Sequence, residues 1–146
     1  MDVVTAFLGS SLDEEVYVIL PEGVFSSIPA RLNHSLYGVK QSPRCWCTTI
    51  DSFLLSKLCF CRGRFDRCIY TYPNSTILAL YLDDMLIAGT SQNINSVRKR
   101  LKDQFEMVDL GYVNNFLGMV ITRELNNHTI YLTQEGYIDK VLQNLL

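Results

Sequence analysis

Leu78-Ala79-Leu80-Tyr81-Leu82-Asp83-Asp84-Met85-Leu86-Ile87-Ala88 sets two apolar runs on either side of a pair of aspartates. Residues 77 to 89 therefore read as two strands that reverse at Asp83-Asp84, since aspartate accepts tight-turn geometry and the flanks are strand formers. The flanks are almost continuously apolar, which predicts strands covered on both faces. An Asp pair in a turn is ordinary by itself. A second feature changes its meaning: Asp2 sits in another β-branched, apolar stretch, Met1-Asp2-Val3-Val4-Thr5-Ala6-Phe7. Two-metal phosphoryl chemistry needs carboxylates from separate strands converging on one spot, where they hold two divalent ions roughly 3.5–4 Å apart. One ion activates an attacking hydroxyl and the other steadies the phosphates. Mg2+, or Mn2+ in its place, prefers oxygen ligands and keeps several waters, so few protein carboxylates suffice.

Working outward, residues 1 to 7 read as a strand, and residues 15 to 20 as a second short one ended by Pro21-Glu22-Gly23. Ser42-Pro43 marks a helix start, with Ser42 as N-cap and Pro43 in the first helical position. Trp46, Ile50, Phe53, Leu54 and Leu58 follow at helical spacing. Residues 68 to 72 read as a strand, turned by Pro73-Asn74-Ser75 into the apolar run around Asp83-Asp84. Ile94, Val97, Leu101 and Phe105 define an amphipathic helix whose outer face carries Arg98, Lys99, Arg100 and Lys102, a solvated face that needs no special cause. Residues 116 to 122 and 129 to 133 form a predicted hairpin around Asn126-Asn127. Tyr137, Ile138, Val141, Leu142 and Leu145 mark a last helix. The order strand, helix, strand pair, helix, hairpin, helix predicts an α+β, ferredoxin-like plan: an antiparallel sheet with helices on one face. That plan serves many functions and decides none.

The chain has 146 residues, 48% of them apolar, enough for one domain with a hydrophobic core. It has no run of about 18 apolar residues, which excludes a membrane-spanning helix. No basic segment precedes an apolar one at the N-terminus, so an intracellular protein is expected. A net charge of −2 counts against a free-standing nucleic-acid binder, whose affinity comes mainly from neutralising phosphates. It does not count against a catalytic core whose carboxylates are neutralised by metal. Five cysteines, Cys45, Cys47, Cys59, Cys61 and Cys68, point to reduced thiols. Their two Cys-x-Cys pairs invite a zinc site, but helical residues two apart do not share a face, and cysteine is a common small core residue.

Several blocks in order resemble copia-type retrotransposon reverse transcriptases, including those of yeast Ty-like elements. They are Met1-Asp2-Val3 with Thr5-Ala6-Phe7-Leu8, then Ser35-Leu36-Tyr37-Gly38-Val39-Lys40-Gln41-Ser42-Pro43-Arg44 with Trp46, and Tyr81-Leu82-Asp83-Asp84-Met85. Phe105-Glu106-Met107 with Asp109-Leu110-Gly111, Phe116-Leu117-Gly118-Met119, and Tyr131-Leu132-Thr133-Gln134 with Tyr137-Ile138 complete the set. Ordered blocks along nearly the whole chain are far more specific than a single motif.

The resemblance implies a ferredoxin-like polymerase palm over residues 1–133, with 134–146 starting a helix that leads toward a thumb. Asp2 and Asp83 would be the principal ligands of two Mg2+ or Mn2+ ions, and Asp84 a more peripheral one. Phe7 would be the aromatic gate that excludes a 2′-hydroxyl; read alone, it is a core phenylalanine. Tyr37, Gly38, Lys40, Gln41, Ser42, Pro43 and Tyr81 would lie along template and incoming nucleotide, although Gly38 alone is a turn glycine and Lys40 a solvated charge. Phe116, Leu117, Gly118 and Met119 would form the primer grip, or else a plain apolar strand.

Partners implied are an RNA or DNA template, a primer and deoxynucleoside triphosphates, with no membrane. The intact element would work in cytoplasmic virus-like particles and in the nucleus. Departures are Val4 in place of the family's lysine, Gly9-Ser10 in place of Asn-Gly, and Leu82 in place of valine. The family's fingers precede the first aspartate, and its thumb, RNase H and integrase follow the palm. A piece of Pol polyprotein, inactive alone, is the expectation. The competing readings are a non-catalytic ferredoxin-like nucleic-acid-binding or interaction module, which has no need of Asp2 with Asp83-Asp84, and a zinc module built on the cysteines.

Overall fold

Alternation along the central apolar run decides how the sheet is buried. The computed structural model describes residues 1–21, 23, 29–72 and 75–145. Among these, the strands are β1 (Asp2–Val3), β2 (Tyr17–Val18), β3 (Ala30–Arg31), β4 (Cys61–Arg62), β5 (Ile69–Tyr72), β6 (Thr76–Tyr81), β7 (Asp84–Ala88), β8 (Met107–Val108), β9 (Asn115–Phe116), β10 (Met119–Glu124) and β11 (Thr129–Thr133). The helices are α1 (Ser42–Ser56), α2 (Ser91–Gln104) and α3 (Glu135–Leu145). The chain is α+β with antiparallel pairing throughout. It divides into two compact units, Asp2–Val108 and Asp109–Leu146, with Met1 grouped in the latter.

In the first unit the sheet order is β4-β5-β6-β7-β1-β8, so the hairpin β6–β7 lies at its centre. Thr76, Leu78 and Leu80 point inward and are buried, whereas Ile77 and Tyr81 are about half exposed. The expectation of strands covered on both faces is therefore corrected. Tyr70, opposite Leu78, donates its hydroxyl to Asp51 of α1 at 2.8 Å. Thr76, on the same face, accepts from the Asn93 side chain of α2 at 3.1 Å. Both helices thus lie on one face, and on the other Ile77 and Tyr81 remain about half exposed.

Helix α1 buries Trp46, Ile50 and Leu54, with Leu58 just beyond it. Its N-cap is Gln41, and Ser42 is already helical. Ser42 was the expected cap, but its buried hydroxyl is engaged elsewhere. It donates to the Leu36 carbonyl at 2.6 Å and accepts from the Leu36 N–H at 3.1 Å, closing the loop before the helix. Helix α2 starts at an N-cap Thr90, whose side chain accepts from Asn93 N–H, and it buries Val97 and Leu101. Its basic run is not uniformly solvated. Arg98 is half-buried, and Arg100 donates to the Lys57 carbonyl at the end of α1.

The first strand is shorter than residues 1 to 7, because the backbone turns after Val3 and Thr5 has φ +54°. Of residues 15 to 20, only Tyr17–Val18 pairs, with β3. Glu22 of the turn expected after it, and Pro73-Asn74 of the turn expected before β6, lie outside the described residues. Cys45 is buried and Cys47, Cys59, Cys61 and Cys68 are exposed; all five are free thiols. Among the described residues no helix is long and apolar enough to cross a membrane.

The second unit is a sheet ordered β11-β10-β9 followed by α3. The strand expected at 116 to 122 is interrupted, because Phe116 pairs back on Met119 around Leu117 and Gly118, both at positive φ. Positive φ at both central positions is the requirement of a type I′ hairpin turn. The second hairpin closes at Glu124↔Thr129 around Asn126-Asn127, as expected.

Candidate active site

Register carries the aspartates together. Tyr81 is opposite Asp84, Asp84 is opposite Asp2, and Asp2 is opposite Val108. Cross-strand partners share a face of a sheet. This row therefore runs across the face without helices, as the half exposure of Tyr81 and Val108 shows. Asp83 is in the adjoining two-residue turn, and its carbonyl accepts from the Val3 N–H at 3.2 Å. All three aspartates are half-buried. Asp2 thus lies across from Asp84, with Asp83 one step away at the turn.

The electrostatics follow from that crowding. The Asp84 carboxyl is pushed above its ordinary range, first by burial and then by the negative charges of Asp83 and Asp2. Among the described residues, no three His, Cys, Asp or Glu side chains converge into a ready-made metal cage. The donor set nonetheless suits a hard divalent ion: half-buried adjacent carboxylates that repel one another, oxygen ligands of the kind Mg2+ prefers.

Leu82, the first residue of the turn, has φ +54°, a conformation costly for a side chain of its size. Its carbonyl accepts from the indole N–H of Trp46 at 2.8 Å. Phe7 is half-buried, its ring 4.5 Å from that of Tyr37 and tilted to it. The Phe7 carbonyl accepts from the Ser35 hydroxyl, which ties this segment to the loop before α1. In that loop Gly38 has φ +94° with open space beside its Cα, so it is a turn glycine. Lys40 and Gln41 are exposed, Pro43 is half-buried, and Ser42 is buried within its bonds to Leu36. Phe116, Leu117, Gly118 and Met119 form the β9–β10 turn of the second unit.

Comparison with known proteins places this arrangement. The family model described as reverse transcriptase (RNA-dependent DNA polymerase) matches residues 1–146. The chain belongs to this reverse transcriptase family. Its relatives make it copia-type. It is 41% identical over 152 residues to the retrovirus-related Pol polyprotein from transposon TNT 1-94 of Nicotiana tabacum, covering 98% of this chain and 11% of that protein. It is 36% identical over 148 residues to a putative transposon Ty5-1 protein of Saccharomyces cerevisiae, covering 96% and 47%. With the Pol polyprotein from transposon RE1 of Arabidopsis thaliana it shares 27% over 146 residues, covering 94% and 10%. The chain thus spans from about a tenth to under half of the length of these relatives. No solved structure matches it significantly.

Sequence reading of this reverse transcriptase chain missed two groups that hold the site's scaffold. One is the Trp46 N–H, which periodicity assigned only to the core; a buried tryptophan's need for an acceptor was the available signal. The other is Asp51, which accepts from Tyr70 and pairs with Arg62 at 3.2 Å. No local signal reveals that trio, because its members come from α1, β4 and β5.

Proposed function

We propose that Asp2, Asp83 and Asp84 are the metal-holding carboxylates of an RNA-directed DNA polymerase, on a ferredoxin-like palm. The observation that carries this is the register: Asp2 opposite Asp84 on the open face, with Asp83 in the adjoining turn. Bound there, Mg2+ or Mn2+ supplies activation of a primer hydroxyl and charge neutralisation at the triphosphate. The chain's own residues supply position. Phe7, steadied by Tyr37, offers a ring against the incoming sugar and leaves no room for a 2′-hydroxyl. Tyr81 stands in the same row as the aspartates. Lys40 and Gln41 present polar side chains to template and nucleotide from the loop that Gly38, Ser42 and Pro43 shape. Ser42 acts through that loop, being buried. Phe116 to Met119 offer a turn for the primer strand. The partners are template, primer and deoxynucleoside triphosphates, met in the particles and nuclei where a retrotransposon copies itself.

The test has two arms on the purified chain. Mn2+ binding to wild type is compared with Asp83→Asn/Asp84→Asn, which is expected to weaken it by at least about tenfold. Equal binding would sink the assignment and favour a non-catalytic module. Primer extension on poly(rA)-oligo(dT) is expected to be feeble, since a chain of net charge −2 captures nucleic acid poorly at physiological salt. Robust extension that the double variant abolishes would establish the carboxylates and overturn that weakness.

A further inference from the structure

Trp46 is the chain's single tryptophan and is 1% exposed. An indole has one donor and no acceptor, and this donor is spent on the Leu82 carbonyl at 2.8 Å. That carbonyl lies between the paired residues Tyr81 and Asp84, at the tip of the hairpin. It belongs to the peptide unit leading into Asp83. The carbonyl on the other side of Asp83 is held as well, by the N–H of Val3, next to Asp2. Both peptide units flanking Asp83 are therefore fixed, one from the helix layer and one from the strand that bears Asp2. Leu82 itself holds positive φ, so the turn is in a conformation that surrounding contacts must enforce. The indole is braced in turn: Phe105 meets it edge-on with ring centres 5.4 Å apart, and Phe53 meets Phe105 likewise at 5.2 Å.

We infer that Trp46 is a positioning residue for Asp83: its N–H clamps the Leu82 carbonyl and so sets where the Asp83 carboxylate stands relative to Asp2 and Asp84. This rests on the reading of those three aspartates as metal ligands. It separates the indole's donor from its bulk. The bulk fills the core, whereas the donor acts on one turn. A small displacement of a ligand-bearing turn is felt in affinity before it is felt in folding.

The experiment measures Mn2+ affinity of the purified chain, by the electron paramagnetic resonance signal of free Mn2+, alongside its urea midpoint. Trp46→Phe keeps a ring and removes the donor. Phe105→Leu loosens the same cluster and leaves the donor. Loss of one hydrogen bond's net worth predicts a drop of about three- to tenfold in affinity for Trp46→Phe, and under about twofold for Phe105→Leu even at a greater loss of stability. Wild-type affinity in Trp46→Phe, or an equal loss in Phe105→Leu, overturns the proposal. Unchanged affinity in Asp83→Asn/Asp84→Asn instead fails the aspartate reading itself. Should Trp46→Phe not fold, the wild-type chain still decides the matter through its sole indole N–H. Saturating Mg2+ is expected to slow hydrogen exchange of that proton several-fold, because a bound ion and the clamp stabilise the same turn. Exchange indifferent to Mg2+ overturns the inference.

Discussion

Between Asp2 and Val108 the apolar residues of helices and strands meet one another, whereas between Asp109 and Leu145 they meet solvent. Among the described residues, all the fully buried side chains belong to the first region, from Val3 to Leu101. In the second, Leu132 of β11 and Tyr137, Ile138, Leu142 and Leu145 of α3 are all more than half exposed, although the α3 residues recur at helical spacing as Trp46, Ile50 and Leu54 do. Periodicity states which face of an element wants burial, and only a second packed layer provides it. The two regions therefore hold secondary structure for different reasons. The first rests on a core between sheet and helices, the second on local hairpin pairing, which is marginal in water by itself.

The largest expected difference is in local stability. Backbone amides of β6 and α1 should be protected from hydrogen exchange by at least about a thousandfold more than those of β10 and β11, since core elements open only with the whole unit. Mass-spectrometric exchange of the purified chain checks this, and equal protection would break the contrast. Matched truncations sharpen it. Leu54→Ala, at a fully buried site, should cost about 2–5 kcal/mol in urea unfolding. Leu132→Ala, at a 61% exposed site, should stay within about 0.5 kcal/mol.

Smaller effects probe how closely the first region is built. A Cβ on Gly63 would lie 2.4 Å from the Asp66 carbonyl oxygen and 3.0 Å from that of Ile69. Both are backbone atoms, and Gly63 itself donates to Ile69 at 2.7 Å. Gly63→Ala should therefore destabilise by about 1–3 kcal/mol; wild-type stability would mean that the β4–β5 turn gives way easily. A smaller effect than at Gly63 is expected at Tyr70→Phe, about 1 kcal/mol from the lost bond to Asp51. It carries a pH signature. Burial, and then the Asp51 carboxylate, push the Tyr70 hydroxyl well above its ordinary range. The folded state therefore holds that proton more tightly than the unfolded chain does. The resulting stability is intact below the ordinary tyrosine pKa of about 10 and is lost as pH rises above it. Urea midpoints between pH 8 and 11 should fall more steeply for wild type than for Tyr70→Phe; parallel curves would contradict the buried bond.

How much could be read in advance differs from element to element. The buried stripe of α1, the hairpin around Asn126-Asn127 and a reversal at the aspartates were legible because turn chemistry and side-chain period are local properties, but the turn is Leu82-Asp83, one residue earlier than the expected Asp83-Asp84, with Asp84 already in β7. The length of β1 was not, because β-branched residues at 4 and 5 suit a strand and only the positive φ of Thr5 turns the chain away. Nor was the cap of α1. Ser42 suits an N-cap by type, but its hydroxyl goes to Leu36, a partner that exists only once the preceding loop has folded back. The continuous apolar character of residues 77 to 88 was equally ambiguous, since composition cannot say how many faces of a strand are covered.

The sequence by itself determined the family, the aspartates worth attention and the faces that seek burial, because motif order and periodicity are written along the chain. Tertiary structure alone decided that Asp84, rather than Asp83, lies opposite Asp2, and that Trp46 reaches across to the Leu82 carbonyl. Register and cross-layer hydrogen bonds join residues distant in sequence, and their geometry exists only after sheet and helices have packed.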